Sequence, residues 1–257
     1  MTAKQHRIAI AGITGRMGRA VSRLAGEHHC TVVGGLAAPG EDGKVVDGTR
    51  VTIDPAAAIE NAEVVVDFSH PSALAALADA CAARAIPLVT GTTNFGDDAA
   101  RAIERLSRVA AVLAAPNMSL GVQVLAEIVE MTARRLGLSF DVEIVEAHHG
   151  LKIDAPSGTA KRLYEAVENA IDGNGVAVHG REGNVGARKR GEIGIHAIRG
   201  GDVVGDHTVL FLGHGERLEL THRASSRDLF AHGALRAARF LIGRHPGRFH
   251  IRDLLGA

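Results

Sequence analysis

The sequence predicts an α/β protein: a doubly wound parallel sheet with helices on both faces, followed by a separate α+β portion with a mostly antiparallel sheet. Three observations carry that expectation. Short apolar runs alternate with helix-like segments from residue 7 to residue 117. A glycine-rich stretch, Gly12-Ile13-Thr14-Gly15-Arg16-Met17-Gly18, sits where the first strand hands over to the first helix. After Asn117 the rhythm changes to one long helix and then strands joined by glycine-rich turns.

RIAIAG (7–12) is a short β-rich run, and Met17, Ala20, Val21 and Leu24 then share one helical face. TVVGGLA (31–37) is the second strand, and an excursion with Gly, Asp and Pro (40–55) interrupts the alternation. AEVVVDF (62–68) has a buried-strand pattern, and Pro71-Ser72 opens an Ala- and Leu-rich helix. IPLVTGTT (86–93), a helix through 100–108 and AAVLAAPN (110–117) complete the series. In the second part, 120–137 reads as a long helix. Phe140, Val142 and Ile144 then alternate with Asp141 and Glu143 as in a half-buried strand. EIGIHAIRG (192–200), HTVLFLG (207–213) and ERLELTHRA (216–224) read as further strands. The closing segment returns to helix and is expected to pack on the first part. The expected limits are 1–118, completed by 227–257, for one domain and 119–226 for the other.

Composition excludes several classes. Lys+Arg and Asp+Glu both number 29, so no net charge recruits nucleic acid or an acidic membrane surface. Aromatics are 3 % and Trp is absent, which argues against base-stacking platforms. The stretch MTAKQHRIAIAG has too short an apolar run for a signal peptide, and no later segment suits a membrane span. Cys30 and Cys81 form no disulfide framework and suit a reducing compartment. A soluble cytoplasmic protein is the expectation. His/Cys spacing suggests no metal site.

Glycines between strand and helix allow a tight turn and let backbone N–H groups approach a pyrophosphate. Here they read G-x-x-G-x-x-G. The carboxylate expected about 20 residues on, to bond the ribose hydroxyls, is missing. Ala37-Ala38-Pro39-Gly40 stands in its place, with Glu41 and Asp42 following in a loop. Arg16 could attract a 2′-phosphate, so NADPH is expected to be accepted alongside NADH.

The densest chemistry lies in EAHHGLKIDAPSGTA (146–160). Ser157 is placed to cap a helix carrying Leu163, Val167, Ala170 and Ile171, with Gly158 and Thr159 in its first turn. That N-terminus suits a carboxylate, and Lys152 adds a cation. His148 and His149 can share a site only if the strand ends there, because neighbouring strand residues face opposite ways. Singly, a histidine is most often surface or core filler, Lys152 a solvated charge and Ser157 a plain cap. Together they combine a proton donor near neutrality with a carboxylate cradle.

HHGLKIDAPSGTA resembles the H-H-x-x-K-x-D-A-P-S-G-T signature of the 4-hydroxy-tetrahydrodipicolinate (dihydrodipicolinate) reductase family of lysine biosynthesis. GITGRMGRA, DFSHP, GTTNF, APNMSLGV, RGGDVVGDHTV and ERLELTHRASSR resemble further family segments, in order. The resemblance implies a Rossmann-like domain for NADPH or NADH, and a second domain for substrate binding and oligomerisation into a homotetramer. It implies reduction of a small cyclic dicarboxylic imine in diaminopimelate and lysine biosynthesis. His148 would be the general acid, with Lys152 assisting, while His149 and Ser157-Gly158-Thr159 hold the carboxylates. Gly12 to Met17 would hold the cofactor, Gly91-Thr92-Thr93 would lie beside the nicotinamide, and Pro116-Asn117-Met118-Ser119 would line the cofactor site at the domain junction. The family's acidic and basic residues after the second strand are not matched by Ala37 and Ala38, and Met118 stands where an aromatic is common.

Glu146 and Asp154 are candidates for orienting the imidazole or Lys152. Arg188-Lys189-Arg190 reads as a solvated loop or as one that contacts another subunit. Two other readings are a reductase of another small imino or keto dicarboxylate and a non-catalytic dinucleotide-binding subunit. The intact H-H-x-x-K and S-G-T elements weigh against both.

Overall fold

The computed structural model describes residues 4–256. These form two compact units, one running to Leu120 and resuming at Asp228, the other Gly121–Arg227. Chain order begins β1 (His6–Ala11), α1 (Arg16–Leu24), β2 (Cys30–Leu36), β3 (Val45–Val46), β4 (Thr49–Thr52) and α2 (Pro55–Ala58). It continues β5 (Val64–Asp67), α3 (Pro71–Arg84), β6 (Leu88–Thr90), α4 (Asp97–Ser107) and β7 (Ala111–Ala114). Then come α5 (Leu120–Leu136), β8 (Asp141–His148), α6 (Gly158–Ala170), β9 (Val176–His179) and β10 (Glu192–Arg199). β11 (Gly205–Leu212), β12 (Arg217–Ala224), α7 (Asp228–Leu241) and β13 (Gly247–Phe249) complete it.

The first unit holds a sheet in the order β13–β7–β6–β5–β1–β2–β4–β3, parallel throughout except for the β3/β4 pair. Its inner strands are apolar on both faces because both faces are covered. Ile8, Ile10, Val64 and Val66 join the core beneath α1 and α7, while Ala9, Val65 and Val112 join the core beneath α3 and α4. Each of these Ile and Val side chains contributes about 1.5–3 kcal/mol by its burial. Strand order reverses beside β1, with β2 on one side and β5 on the other, and at such a point loops from the carboxyl ends of the strands form a crevice.

Two segments of the first unit carry strands that the sequence expectation lacks. The 40–55 excursion contains a hairpin, β3 to β4, turned by Asp47-Gly48 with φ +45° and +82°. A two-residue turn with both φ positive matches the twist of paired strands, so Asp-Gly was a legible signal. In the closing segment β13 adds a strand beside β7 after the helix ends. Three residues are too few to show a strand period.

In the second unit the sheet runs β12–β11–β8–β10–β9. β11 pairs antiparallel with β12 and β8, as the sequence suggests, while β10 pairs in parallel with β8 and β9. Parallel neighbours need a long crossover, which the stretch with α6 supplies for β8 and β10 and the 180–191 loop supplies for β9 and β10. Val142, Ile144, Val209 and Phe211 pack one face against Leu125, Val129, Leu163 and Val167 of α5 and α6.

The Arg188 segment is not simply solvated. Arg188 Nη1 donates to Asp141 Oδ1 at 2.6 Å and Nε to Glu143 Oε1 at 3.2 Å, while Arg181 holds Glu143 through two 3.0 Å bonds. Burial pushes the Glu143 pKa up, but hydrogen bonds from Arg181, His196 and Arg188 outweigh it and leave it at about 2. A depressed folded pKa stabilises the protein above the unfolded value of 4.5, and that stabilisation is lost as pH falls towards about 2. The melting temperature is expected to fall across this window, and Glu143→Gln to flatten the fall. An equal slope in the two proteins would contradict this linkage.

Candidate active site

In the first unit the loop after β1 is shaped by close backbone approach. Gly12 sits at φ +73°, and a Cβ there would lie 2.5 Å from the Phe68 carbonyl oxygen. A Cβ on Gly18 would overlap the Gly12 backbone, so α1 can start only this close to β1 with glycine present. Gly15 is the N-cap and makes no side-chain capping hydrogen bond, which leaves first-turn N–H groups suited to a pyrophosphate. The loop therefore fits a dinucleotide.

The carboxyl ends of β5 and β6 are knit by a buried carboxylate. Asp67 Oδ2 accepts the Thr90 and Thr92 hydroxyls, each at 2.7 Å, and Oδ1 accepts the Ser69 N–H at 2.8 Å. Asp67 has no exposed surface. These bonds order the Gly91-Thr92-Thr93 segment against the loop after β5.

In the second unit β8 ends at His148, and residues two apart on a strand share a face. Glu146, fully buried, thus lies on the His148 side and accepts its Nδ1–H at 2.6 Å. Arg199, paired directly with His148 across β10, donates to both Glu146 oxygens at 2.7 and 2.8 Å. The Ser157 N–H donates to Glu146 Oε1 at 3.0 Å. Ser157 also caps α6, its Oγ accepting the Ala160 N–H at 3.1 Å and meeting His207 Nε2 at 3.0 Å. The His148 and His207 rings stand edge-on, centroids 5.1 Å apart. Lys152 Nζ donates to Asp154 Oδ1 at 2.7 Å, and Arg227 bonds His149 Nε2 at 3.0 Å.

Burial works against an ionised Glu146, yet hydrogen bonds from Arg199, His148 and Ser157 hold its carboxyl below the usual range. A carboxylate accepts only, so Nδ1 of His148 keeps its proton and Nε2 is the nitrogen left to exchange one. Gly205 faces that nitrogen, where a Cβ would lie 3.1 Å from Nε2. Burial, with the nearby His148, pushes His207 down to about 4, so His207 is neutral at neutral pH. The cluster can hold an anion at the α6 N-terminus and move one proton.

Family models described as dihydrodipicolinate reductase, N-terminus and C-terminus, match residues 6–118 and 121–255. The chain belongs to the dihydrodipicolinate reductase family. It is 47 % identical to the 4-hydroxy-tetrahydrodipicolinate reductase of Thiobacillus denitrificans, covering 97 % of this chain and 98 % of that one. For the Myxococcus xanthus reductase the identity is 46 %, with 97 % of each chain covered. The fold resembles the dipicolinate-bound dihydrodipicolinate reductase from Paenisporosarcina sp. TG-14, with a TM-score of 0.76 and 24 % identity over 96 % of this chain and 97 % of that one. Enzymes of the dihydrodipicolinate reductase family are oxidoreductases that use NAD(P)H, and the first unit carries their dinucleotide-binding domain. Among the described residues, no helix is long and apolar enough to cross a membrane.

For this dihydrodipicolinate reductase family member, the sequence-selected residues fall into two groups, one in each unit. His148, Lys152, His149 and Ser157-Gly158-Thr159 lie at the β8–α6 connection. Gly12 to Met17, Gly91-Thr92-Thr93 and Pro116 to Ser119 follow β1, β6 and β7. The side chains of Ile13 and Met118 are buried in the first unit's core, so either could offer a cofactor only its backbone. Asn117 Oδ1 accepts the Ser119 N–H at 2.8 Å, which shapes that turn. Of the pair weighed for orientation, Glu146 holds His148 and Asp154 holds Lys152. Arg199, His207, Arg227 and Asp67 escaped sequence reasoning. Only Asp67 had a local signal, as a lone carboxylate ending an apolar strand.

Proposed function

We propose that the chain catalyses NAD(P)H-dependent reduction of 4-hydroxy-tetrahydrodipicolinate, through dihydrodipicolinate after loss of water, to tetrahydrodipicolinate in the cytoplasm. The observation that carries this reading is the Glu146–His148 pair beside the capped α6 N-terminus. Gly12 to Met17, Gly91 to Thr93 and Pro116 to Ser119 would hold NAD(P)H, which would supply the hydride. His148 donates the proton from Nε2 to the ring carbon beside the one reduced, so one hydride and one proton add across one C=C bond. Glu146 holds the imidazole and stabilises its protonated form. Ser157-Gly158-Thr159 and His149 hold the two carboxylates, and Lys152 supports the developing charge.

The test follows NADH and NADPH oxidation with substrate made in situ from pyruvate and aspartate semialdehyde by a condensing synthase. Turnover supports the reading. Cofactor binding without turnover would shift the assignment to another imino dicarboxylate or to a non-catalytic subunit. Lys152→Ala is expected to raise KM and lower kcat together, roughly 10-fold or more in kcat/KM. Unchanged values for both would remove Lys152 from the site.

The chain is further proposed to work as a homotetramer. Val145, Ala147, Leu210 and Leu212, partly buried, and Ile198, exposed, share the sheet face opposite α5 and α6 and give it apolar side chains suited to a second copy. A monomeric mass by light scattering would contradict it.

A further inference from the structure

The ribose carboxylate that sequence reasoning finds missing at Ala37 has a counterpart in space. The loop after β2 folds back on itself, with the Ala37 N–H donating to Thr52 O at 2.9 Å, the Glu41 N–H to Ala38 O at 3.1 Å and the Gly43 N–H to Val51 O at 3.0 Å. This fold returns Glu41 to the glycine loop. Glu41 Oε2 accepts the Thr14 hydroxyl at 2.6 Å, and Oε1 accepts Lys44 Nζ at 3.2 Å.

We infer that Glu41 reads the adenosine ribose in place of a β2-end carboxylate, and that it makes this chain bind NADH more tightly than NADPH. The inference rests on the dinucleotide reading of the Gly12–Gly18 loop. Two carboxylate oxygens offer about four lone-pair sites. Thr14 and Lys44 take one each, which leaves acceptors for ribose hydroxyls. The Thr14 hydroxyl, followed by Lys44, holds the Glu41 carboxyl below its usual range, so it is an anion at neutral pH. A 2′-phosphate brought there meets a like charge. Glu41 also engages Lys44, a cation of this loop that could otherwise attract that phosphate. Arg19 is turned to the Thr14 carbonyl at 3.0 Å, and Arg16, exposed in the first turn of α1, is the remaining cation on the glycine loop itself.

The experiment measures Kd for NADH and for NADPH with the full chain and no substrate, from the fluorescence of the reduced nicotinamide. The wild type is expected to favour NADH. Glu41→Gln keeps an acceptor for Thr14 and releases Lys44, and is expected to shift the NADPH-to-NADH affinity ratio towards NADPH on the order of tenfold. A ratio unchanged by Glu41→Gln, with both nucleotides still binding, overturns the role of Glu41. Failure of the wild type to bind either nucleotide overturns the dinucleotide reading itself.

Discussion

His148→Gln is expected to bind substrate almost normally and to lose most of kcat. Glutamine keeps a polar group on the Glu146 side but has no nitrogen that can be protonated near neutrality, so the proton delivered from Nε2 is lost. A positioned general acid contributes roughly 10²–10⁴-fold, and the kcat loss is expected in that range. The proposed assignment gives the ground-state contacts with the carboxylates to other groups, so the Kd for a non-reducible pyridine dicarboxylate should change little. Turnover near that of the wild type would remove His148 from the role. A matching loss of analogue binding would make it a substrate ligand instead.

Glu146→Gln is expected to damage stability and rate together. Four hydrogen bonds converge on its carboxylate, one from His148, two from Arg199 and one from the Ser157 N–H. An amide turns one accepting oxygen into a donor facing other donors, and it leaves the Arg199 charge without its partner. Arg199 is 20 % exposed and Glu146 is not exposed at all, so the pair is largely desolvated. Breaking a buried pair from one side costs about 3–5 kcal/mol. At this chain length that is a fall of roughly 10 °C in melting temperature. The imidazole also loses the acceptor that fixes which nitrogen keeps its proton, so kcat should drop by about 10²-fold or more even in the folded fraction. Melting and turnover both unchanged would show that Glu146 neither supports the β8–α6 connection nor orients His148.

Much of this was legible along the chain because it depends on near neighbours. Strand and helix alternate through the first unit as the apolar runs do, and Ser157 caps α6 where a cap is read. β9, four residues long and mostly exposed, and the three-residue β13 are too short to show a strand period and were not legible.

The sequence by itself determined the doubly wound first sheet, the glycine loop, the capped helix beside paired histidines and, through those motifs, the family. These are local properties: period, turn chemistry and capping act within a few residues. Tertiary structure alone decided which side chains meet. Arg199 reaches Glu146 from 53 residues away because β10 pairs with β8 in one register, and a slip of one residue would turn it to the other face. Thr92 reaches Asp67 across 25 residues because β5 and β6 lie side by side. Glu41 reaches Thr14 because the loop after β2 folds back on itself, although spacing along the chain places the ribose carboxylate at Ala37. Local periodicity carries no register and no return path, so pairings made across strands and loops exist only once the chain has folded.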